Sequence, residues 1–408
     1  MSYKLLRITD LYPQYIKSVY EENPELSEKN YLEQSSKLSS KSVEISSSYV
    51  KELNTIGVEA FELISNATIA QKQWLKENNL SQDLSLPETI LKQINYFKPD
   101  VVWLDTTVLL NASFIIQLKK SSPFIKKVVG HICAPFNNEI ENGLRELDTV
   151  FTCTPCIEHE LNSKGMKNVT LVYHAFYPEI IKWVKEEINP YPENDFVFTG
   201  SLYTGYGLHK SRIEYIETMI ANHINVSIYG NLEPKATVLK KQAMYYAINA
   251  LKSFGATSLI NKTPVLNRFK NYGDEKIKYY STDLINATKP PVFGLEMYKV
   301  LAKSKICFNI HGEIAKKCAG NIRLFEATGI GTCLITDHKD NMNSLFDVGK
   351  EVITYTNLND CLEKVKWLIN HPSERIKIAK AGQEKVLKSH TVKNRVEQIN
   401  SVICKLLQ

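Results

Sequence analysis

The segment AGNIRLFEATGIGTCLITD, residues 319–337, decides how this chain is read. It sets Asn321, Arg323 and Glu326 at the mouth of a short helix, stops that helix with Gly329 and Gly331, and enters the apolar run Cys333–Ile335, which ends at Asp337. An unbroken β-prone run of this kind suits a strand buried on both faces, the habit of parallel sheets. Just upstream KICFNI (305–310) is a second such run, leading into His311 and Gly312. Strand, polar loop, helix and strand make a parallel βαβ unit, whose ligand-facing groups collect at the carboxyl end of the strand. Alternation sets Asn309 and His311 on one side of that end. Asn321 is the expected N-cap of a helix running through Thr328.

The same alternation extends outward over the whole chain. Before the segment, LLRIT (5–9), VEAFELIS (58–65), KPDVVWLDT (98–106), KKVVGHI (126–132), LDTVFTCT (147–154) and VTLVYHAF (169–176) read as buried strands. Helical stretches near 28–56, 87–97, 111–120 and after Cys156 separate them. The polar, proline-bearing stretch 177–194 reads as a linker. A second series follows with FVFTG (196–200), NVSIYG (225–230), KICFNI, the segment itself and EVITYT (351–356), interrupted by a less regular stretch at 231–290 and closed by helices over 358–389. The expected fold is α/β: two Rossmann-like, doubly wound domains, residues 1–183 and 184–408, facing each other across a cleft, with the last helix able to pack back on the first domain.

A chain of 408 residues exceeds what one core usually serves. Its 43% apolar and 23% charged residues are ordinary for a globular protein. The net charge of +6 is dispersed, which argues against nucleic-acid binding and leaves room for a local basic cleft. The start MSYKLLRITDLYP lacks a charged leader followed by an apolar core, and no run is long enough for a membrane span, so a cytoplasmic location with at most peripheral membrane contact is expected. The eight cysteines are scattered and suit a reduced protein. Cys153-Thr-Pro-Cys156 imitates a redox motif, but no second cysteine pair of matching spacing completes a zinc site, and a structural role is the reading.

Three constellations carry chemistry. At Arg323 and Glu326 two readings stand: an ion pair three residues apart on a helix face, or a phosphate donor beside a carboxylate that holds a ribose diol. In FVFTGSLYTGYGLHKSR (196–212), Gly200 and Ser201 end a strand, and a helix bearing His209, Lys210 and Arg212 follows, a place where backbone and cations can meet a pyrophosphate. Polar residues end strands of the first domain at Asp105, His131 and His174. There is no Asp-x-Asp for a metal-bound nucleoside diphosphate and no Walker loop.

The segment GNIRLFEATGIGTCLITD, together with Leu345-Phe346, Gly349-Lys350-Glu351-Val352 and HPSERIKIAKAGQEKVLKSHTVKNR (371–395), resembles bacterial GT-B glycosyltransferases. More narrowly it is similar to the CgeB-like, spore-maturation-type subgroup, with its N-x-R-x-F-E-x-x-G-x-G and closing H-T-x-x-x-R. The stretches TDLYPQYIKSVYEENPELSEKNYLEQ (9–34) and KPDVVWLD (98–105) share the likeness. The resemblance implies transfer of a sugar from a nucleoside diphosphate sugar (UDP-, GDP- or dTDP-linked) to a hydroxyl of a surface glycan or glycoconjugate, with no metal or other cofactor. It carries over Gly200, Ser201, Arg212 and Glu326, and with the strand-end and loop readings the expected donor set is Gly200, Ser201, His209, Arg212, Tyr229, Asn309, His311, Asn321, Arg323 and Glu326. Glu326 matches the second glutamate of the E-x7-E motif, while Cys318 stands where the first would be. Arg323 is the expected stabiliser of the leaving pyrophosphate. The acceptor's base is expected in the first domain, at His131 or Asp105. A non-catalytic nucleotide-sugar or glycan-binding protein and a GT-B type epimerase are the alternatives.

Overall fold

Apolar side chains on both faces of each strand drive the architecture. The computed structural model describes residues 2–40, 46–185, 192–205, 211–273, 276–312 and 315–408. Among these, six parallel strands form a first sheet: β1 (Lys4–Thr9), β2 (Glu59–Ile64), β3 (Val101–Asp105), β4 (Lys127–Ile132), β5 (Thr149–Thr152) and β6 (Val169–Leu171), in the order β2-β1-β3-β4-β5-β6. Six more form a second: β7 (Asn194–Thr199), β8 (Val226–Tyr229), β9 (Thr288–Lys289), β10 (Ser304–Asn309), β11 (Cys333–Asp337) and β12 (Ile353–Tyr355), in the order β12-β11-β10-β7-β8-β9.

Alternate residues feed opposite layers. Leu6, Ile8, Val102, Leu104 and Val128 meet the helices of one face, and Leu5, Val101, Trp103, Val129 and Phe151 those of the other. In the second sheet Phe196, Phe198, Ile306, Phe308 and Ile335 point one way, and Val197, Cys307 and Leu334 the other. Each such burial contributes about 1.5–3 kcal/mol of transfer free energy. The expected doubly wound α/β architecture is therefore present. In both sheets the strand order reverses at one place, between β1 and β3 in the first and between β7 and β10 in the second, and ligands of such sheets bind at the carboxyl ends there.

The two sheets are tied by the chain passing out and back. On the way out, the segment after β6 carries the helix Glu179–Trp183, which buries Ile180 against the second sheet's core. On the way back, Phe176 N–H donates to the His390 carbonyl at 2.9 Å and Val392 N–H to the Phe176 carbonyl at 3.0 Å. The last helix, Val392–Leu407, then lays Val396, Ile399 and Ile403 on the first sheet. Its start is a capping box of Thr391 and Asn394.

Two elements differ from expectation. The helical stretch near 28–56 is helical over Tyr31–Ser40 and Ser46–Thr55, with 41–45 outside the described residues. The run 169–176 is a strand only to Leu171, because its later residues turn toward the second sheet. The irregular stretch 231–290 is largely helical, led by Lys235–Ser253. That helix buries only Val238 and Ile248 fully and leaves Leu239 and Tyr246 exposed, so its sequence shows no clean apolar stripe.

Candidate functional site

At the switch point of the second sheet, β7 ends at Gly200-Ser201 and β10 at Asn309, two residues before His311. Gly200 N–H donates to the Tyr229 carbonyl at 3.0 Å. A Cβ on Gly230 would stand 1.9 Å from the Gly200 carbonyl oxygen, so glycine is needed where the two strand ends cross. Arg212 donates to the Ser201 carbonyl at 3.2 Å and lies over the Phe198 ring, and Lys289 reaches the Tyr229 hydroxyl at 3.3 Å. Gly200, Ser201, Arg212 and Tyr229 thus form one corner. His209 and Lys210 lie outside the described residues.

The neighbouring corner is a buried polar ladder. Asn309 Nδ2 donates to Thr336 Oγ1 at 2.8 Å, and Asn321 Nδ2 donates to Asn309 Oδ1 at 2.7 Å. Asn321 is therefore not the N-cap: the helix runs Arg323–Gly329 and is preceded by Ile322, with no side-chain cap. The amide satisfies the buried Asn309 instead, because an unpaired buried amide costs more than an uncapped helix start. His311 Nδ1 and backbone N–H both donate to Asp337 Oδ1, at 2.7 and 2.9 Å. Burial raises Asp337, but His311 and Lys339 outweigh it and hold the carboxyl below its ordinary range. With Nδ1 committed, His311 Nε2 is buried and has no hydrogen-bond partner among the described residues.

Arg323 and Glu326 do pair, Nη1 to Oε2 at 2.8 Å, but on a buried face rather than a solvated one. The Glu326 side chain is 6% exposed, and its Oε1 accepts from the Tyr298 hydroxyl at 3.4 Å. Burial pushes the Glu326 carboxyl up, against the pull of Arg323. Behind this pair Gly329 packs on the Phe176 ring, and Gly331, at φ +89°, turns the chain into β11. Thr336, Asp337 and Tyr298 were not among the expected site residues. Thr336 and Asp337 end a buried strand beside the switch point, the same signal that marks Asn309.

In the first domain the two residues expected as the base, His131 and Asp105, are brought together. Asp105 ends β3, and both its carboxylate oxygens are engaged, Oδ2 by the buried Arg7 and Oδ1 by His131 Nδ1 at 3.1 Å. Burial opposes the charge, yet Arg7 and His131 hold the Asp105 carboxyl well below the usual range. His131 Nε2 faces Cys133 Sγ at 3.2 Å. With Nδ1 donating to Asp105, His131 Nε2 carries the lone pair, and the disulfide sulfur of Cys133 beside it has no proton to give, so that nitrogen stays able to accept one. Arg7 also pairs with Glu62 at 3.2 Å and lies between the Tyr49 and Trp103 rings. His174 is half-buried beside this network with its Nδ1 enclosed, and desolvation with the nearby His131 lowers its pKa to about 3.

The cysteines depart from the reduced, unpaired expectation. Cys133 is bonded to Cys153, and Cys156 to Cys318, with Cα separations of 5.5 and 5.8 Å. The partners of the Cys153–Cys156 pair come from residues 20 and 162 positions away, which spacing alone does not reveal. Cys307, Cys333 and Cys361 are buried free thiols, as their strand and helix positions suggest. Among the described residues no helix is long and apolar enough to cross a membrane.

Against this geometry stand the likenesses to known proteins. Residues 247–401 match the family described as glycosyl transferase-like. No curated protein matches the chain in sequence. A glycosyltransferase from Rickettsia africae ESF-5 superposes with a TM-score of 0.55 at 9% identity, covering 100% of this chain and 99% of that one. HepE from Anabaena, in complex with UDP and glucose, gives 0.55 at 10% identity over 98% and 99% of the two chains. The sucrose-phosphate synthase of Thermosynechococcus elongatus gives 0.54 at 9% identity over 99% of each. The fold is that of the GT-B glycosyltransferases, and residues 247–401 are similar to the glycosyl transferase-like family.

Proposed function

We propose that this protein is a nucleotide-sugar-dependent glycosyltransferase that binds its donor at the switch point of the second sheet and acts on a hydroxyl of a glycan or glycoconjugate. The observation that carries the reading is the convergence there of Gly200, Arg212, His311 and the Arg323–Glu326 pair, with His311 Nε2 buried and without a partner among the described residues. On this reading Glu326 accepts the hydroxyls of the donor ribose, exchanging part of its contact with Arg323 for them. Arg323, Arg212 and His311 offset the charge that grows on the leaving diphosphate, the place where fixed donors accelerate transfer most. The subgroup assignment rests on Asn321, Arg323, Phe325 and Glu326 and on His390, Thr391 and Arg395.

The acceptor belongs on the first domain. A groove of about 580 Å³ opens between the starts of the helices after β1 and β2, lined by Pro13, Ile16, Lys17, Tyr20, Asn66 and Ile69. Tyr12, at its edge, packs on Phe293 of the second half at 5.6 Å between centroids.

HepE, of the same fold, is also described in complex with UDP-glucose, and a UDP-hexose is the first donor to try. Isothermal titration calorimetry with UDP, GDP and dTDP should show one nucleotide bound tightly in the presence of a chelator, since the proposed charge partners are side chains. Binding seen solely with Mg²⁺ or Mn²⁺ would exclude this arrangement. Tight binding without donor hydrolysis or transfer to any hydroxyl acceptor would make the protein a binder.

A further inference from the structure

The carboxyl ends of β4, β5 and β6 bring together groups that the donor chemistry leaves unused. Cys133 follows β4, Cys153 follows β5 and His174 lies beyond β6. One donor atom from each lies within 4.8 Å of the others. His174 Nδ1 is buried and has no hydrogen-bond partner among the described residues. His131 stands alongside, Nε2 3.2 Å from Cys133 Sγ and Nδ1 3.1 Å from Asp105 Oδ1.

We propose that Cys133, Cys153 and His174 are a metal site: with the Cys133–Cys153 bond reduced, they ligate a Zn²⁺-type cation, whose fourth position is left to water. Two thiolates and an imidazole form a borderline-soft set suited to tetrahedral zinc, and one that oxygen-seeking Mg²⁺ or Ca²⁺ would not choose. His131 flanks the set, its Nδ1 proton held by the Asp105 carboxylate and its Nε2 lone pair turned toward Cys133 Sγ. Two thiolate charges cancel those of the ion, so the buried site is neutral overall. A dithiol reductant supplies the two electrons and two protons that open the disulfide and is itself oxidised to a disulfide. Metal binding then releases the two thiol protons. The ion would pin three strand ends at a seam between the halves: a Cβ on Gly320, of the second half, would lie 2.4 Å from the Cys153 carbonyl oxygen.

The test uses the full-length protein, reduced with a phosphine, freed of metal with a chelator and titrated with Co²⁺, with alkylation and mass spectrometry confirming that Cys133 and Cys153 are thiols. Expected are one equivalent of Co²⁺, a thiolate-to-cobalt charge-transfer band, tetrahedral visible bands, and their loss on adding one equivalent of Zn²⁺. Cys133→Ser and His174→Gln should each weaken binding about tenfold or more, and Cys156→Ser should leave it unchanged. Should the Cys133 variant misfold by circular dichroism, the His174 variant carries the test. No uptake by the reduced protein, uptake without the charge-transfer band, or bands unaffected by His174→Gln would each overturn the proposal. None of these readouts depends on transferase activity.

Discussion

At the residue scale, Arg7 shows how a charge inside a strand becomes structural. It is fully buried, pairs with Glu62 and Asp105, and is covered by the Tyr49 and Trp103 rings. Removing one member of such a network strands the others, so Arg7→Met should cost about 3–5 kcal/mol of unfolding free energy in urea titrations. A loss below about 1 kcal/mol would mean that Glu62 and Asp105 find other compensation. Glu326 is the corresponding residue of the proposed donor site. Glu326→Gln should weaken nucleotide binding by about 1.5–3 kcal/mol, roughly tenfold to a hundredfold in Kd. Burial raises the Glu326 carboxyl, so it protonates at higher pH than an ordinary glutamate. Nucleotide affinity should accordingly fall on acidification before the ordinary glutamate range is reached, and this dependence should vanish in the glutamine variant. A calorimetric pH series reads both.

At the element scale, the helix Arg323–Gly329 is a wedge between β10 and β11 whose position is set by small residues. A Cβ on Gly329 would come within 2.3 Å of the Phe176 ring, and Gly331 needs its positive φ to enter β11. Gly329→Ala should overpack this contact at about 1–3 kcal/mol, seen as a lower midpoint in denaturant. An unchanged midpoint would show that Phe176 can yield. The strands were legible because both their faces are apolar, and so were helix signals such as Ser85 with Glu88, which form a capping box. The helix Lys235–Ser253 was not, because so little of it is buried that tertiary contacts rather than periodicity define it. The N-cap expected at Asn321 failed for a similar reason, since its partner Asn309 comes from a different strand.

At the scale of the whole molecule, the H-T-x-x-x-R motif proves to be a joint. His390 Nε2 bonds the Leu345 carbonyl at 3.0 Å, Arg395 Nη2 meets His390 Nδ1 at 2.7 Å, and Arg395 Nε donates to the Tyr173 carbonyl at 2.9 Å. Burial and the charge of Arg395 lower the His390 pKa to about 4, and His174 is lowered to about 3. Both depressed histidines are neutral in the fold and bind protons more readily unfolded. Their contribution is fully present above pH ~6.5 and is lost as pH falls toward 4 and 3, at up to about 1.4 kcal/mol per unit for each. Urea denaturation between pH 7 and 4 should show this decline, and His390→Asn should reduce its slope. A flat profile over that range would mean that these imidazoles are not held neutral.

Local pattern alone determined the alternating strands, the two doubly wound halves, and the clustering of Gly200, Asn309, His311, Arg323 and Glu326 near strand ends. These follow from hydrophobic period and turn chemistry, which act between near neighbours in the chain. The tertiary structure decided everything that depends on partners far apart in sequence. It turned the Arg323–Glu326 pair inward, set Arg7 and His131 against Asp105, and joined Cys156 to Cys318 across 162 residues. Burial and pairing are properties of the packed chain, and no spacing along the sequence encodes which buried polar group will meet which.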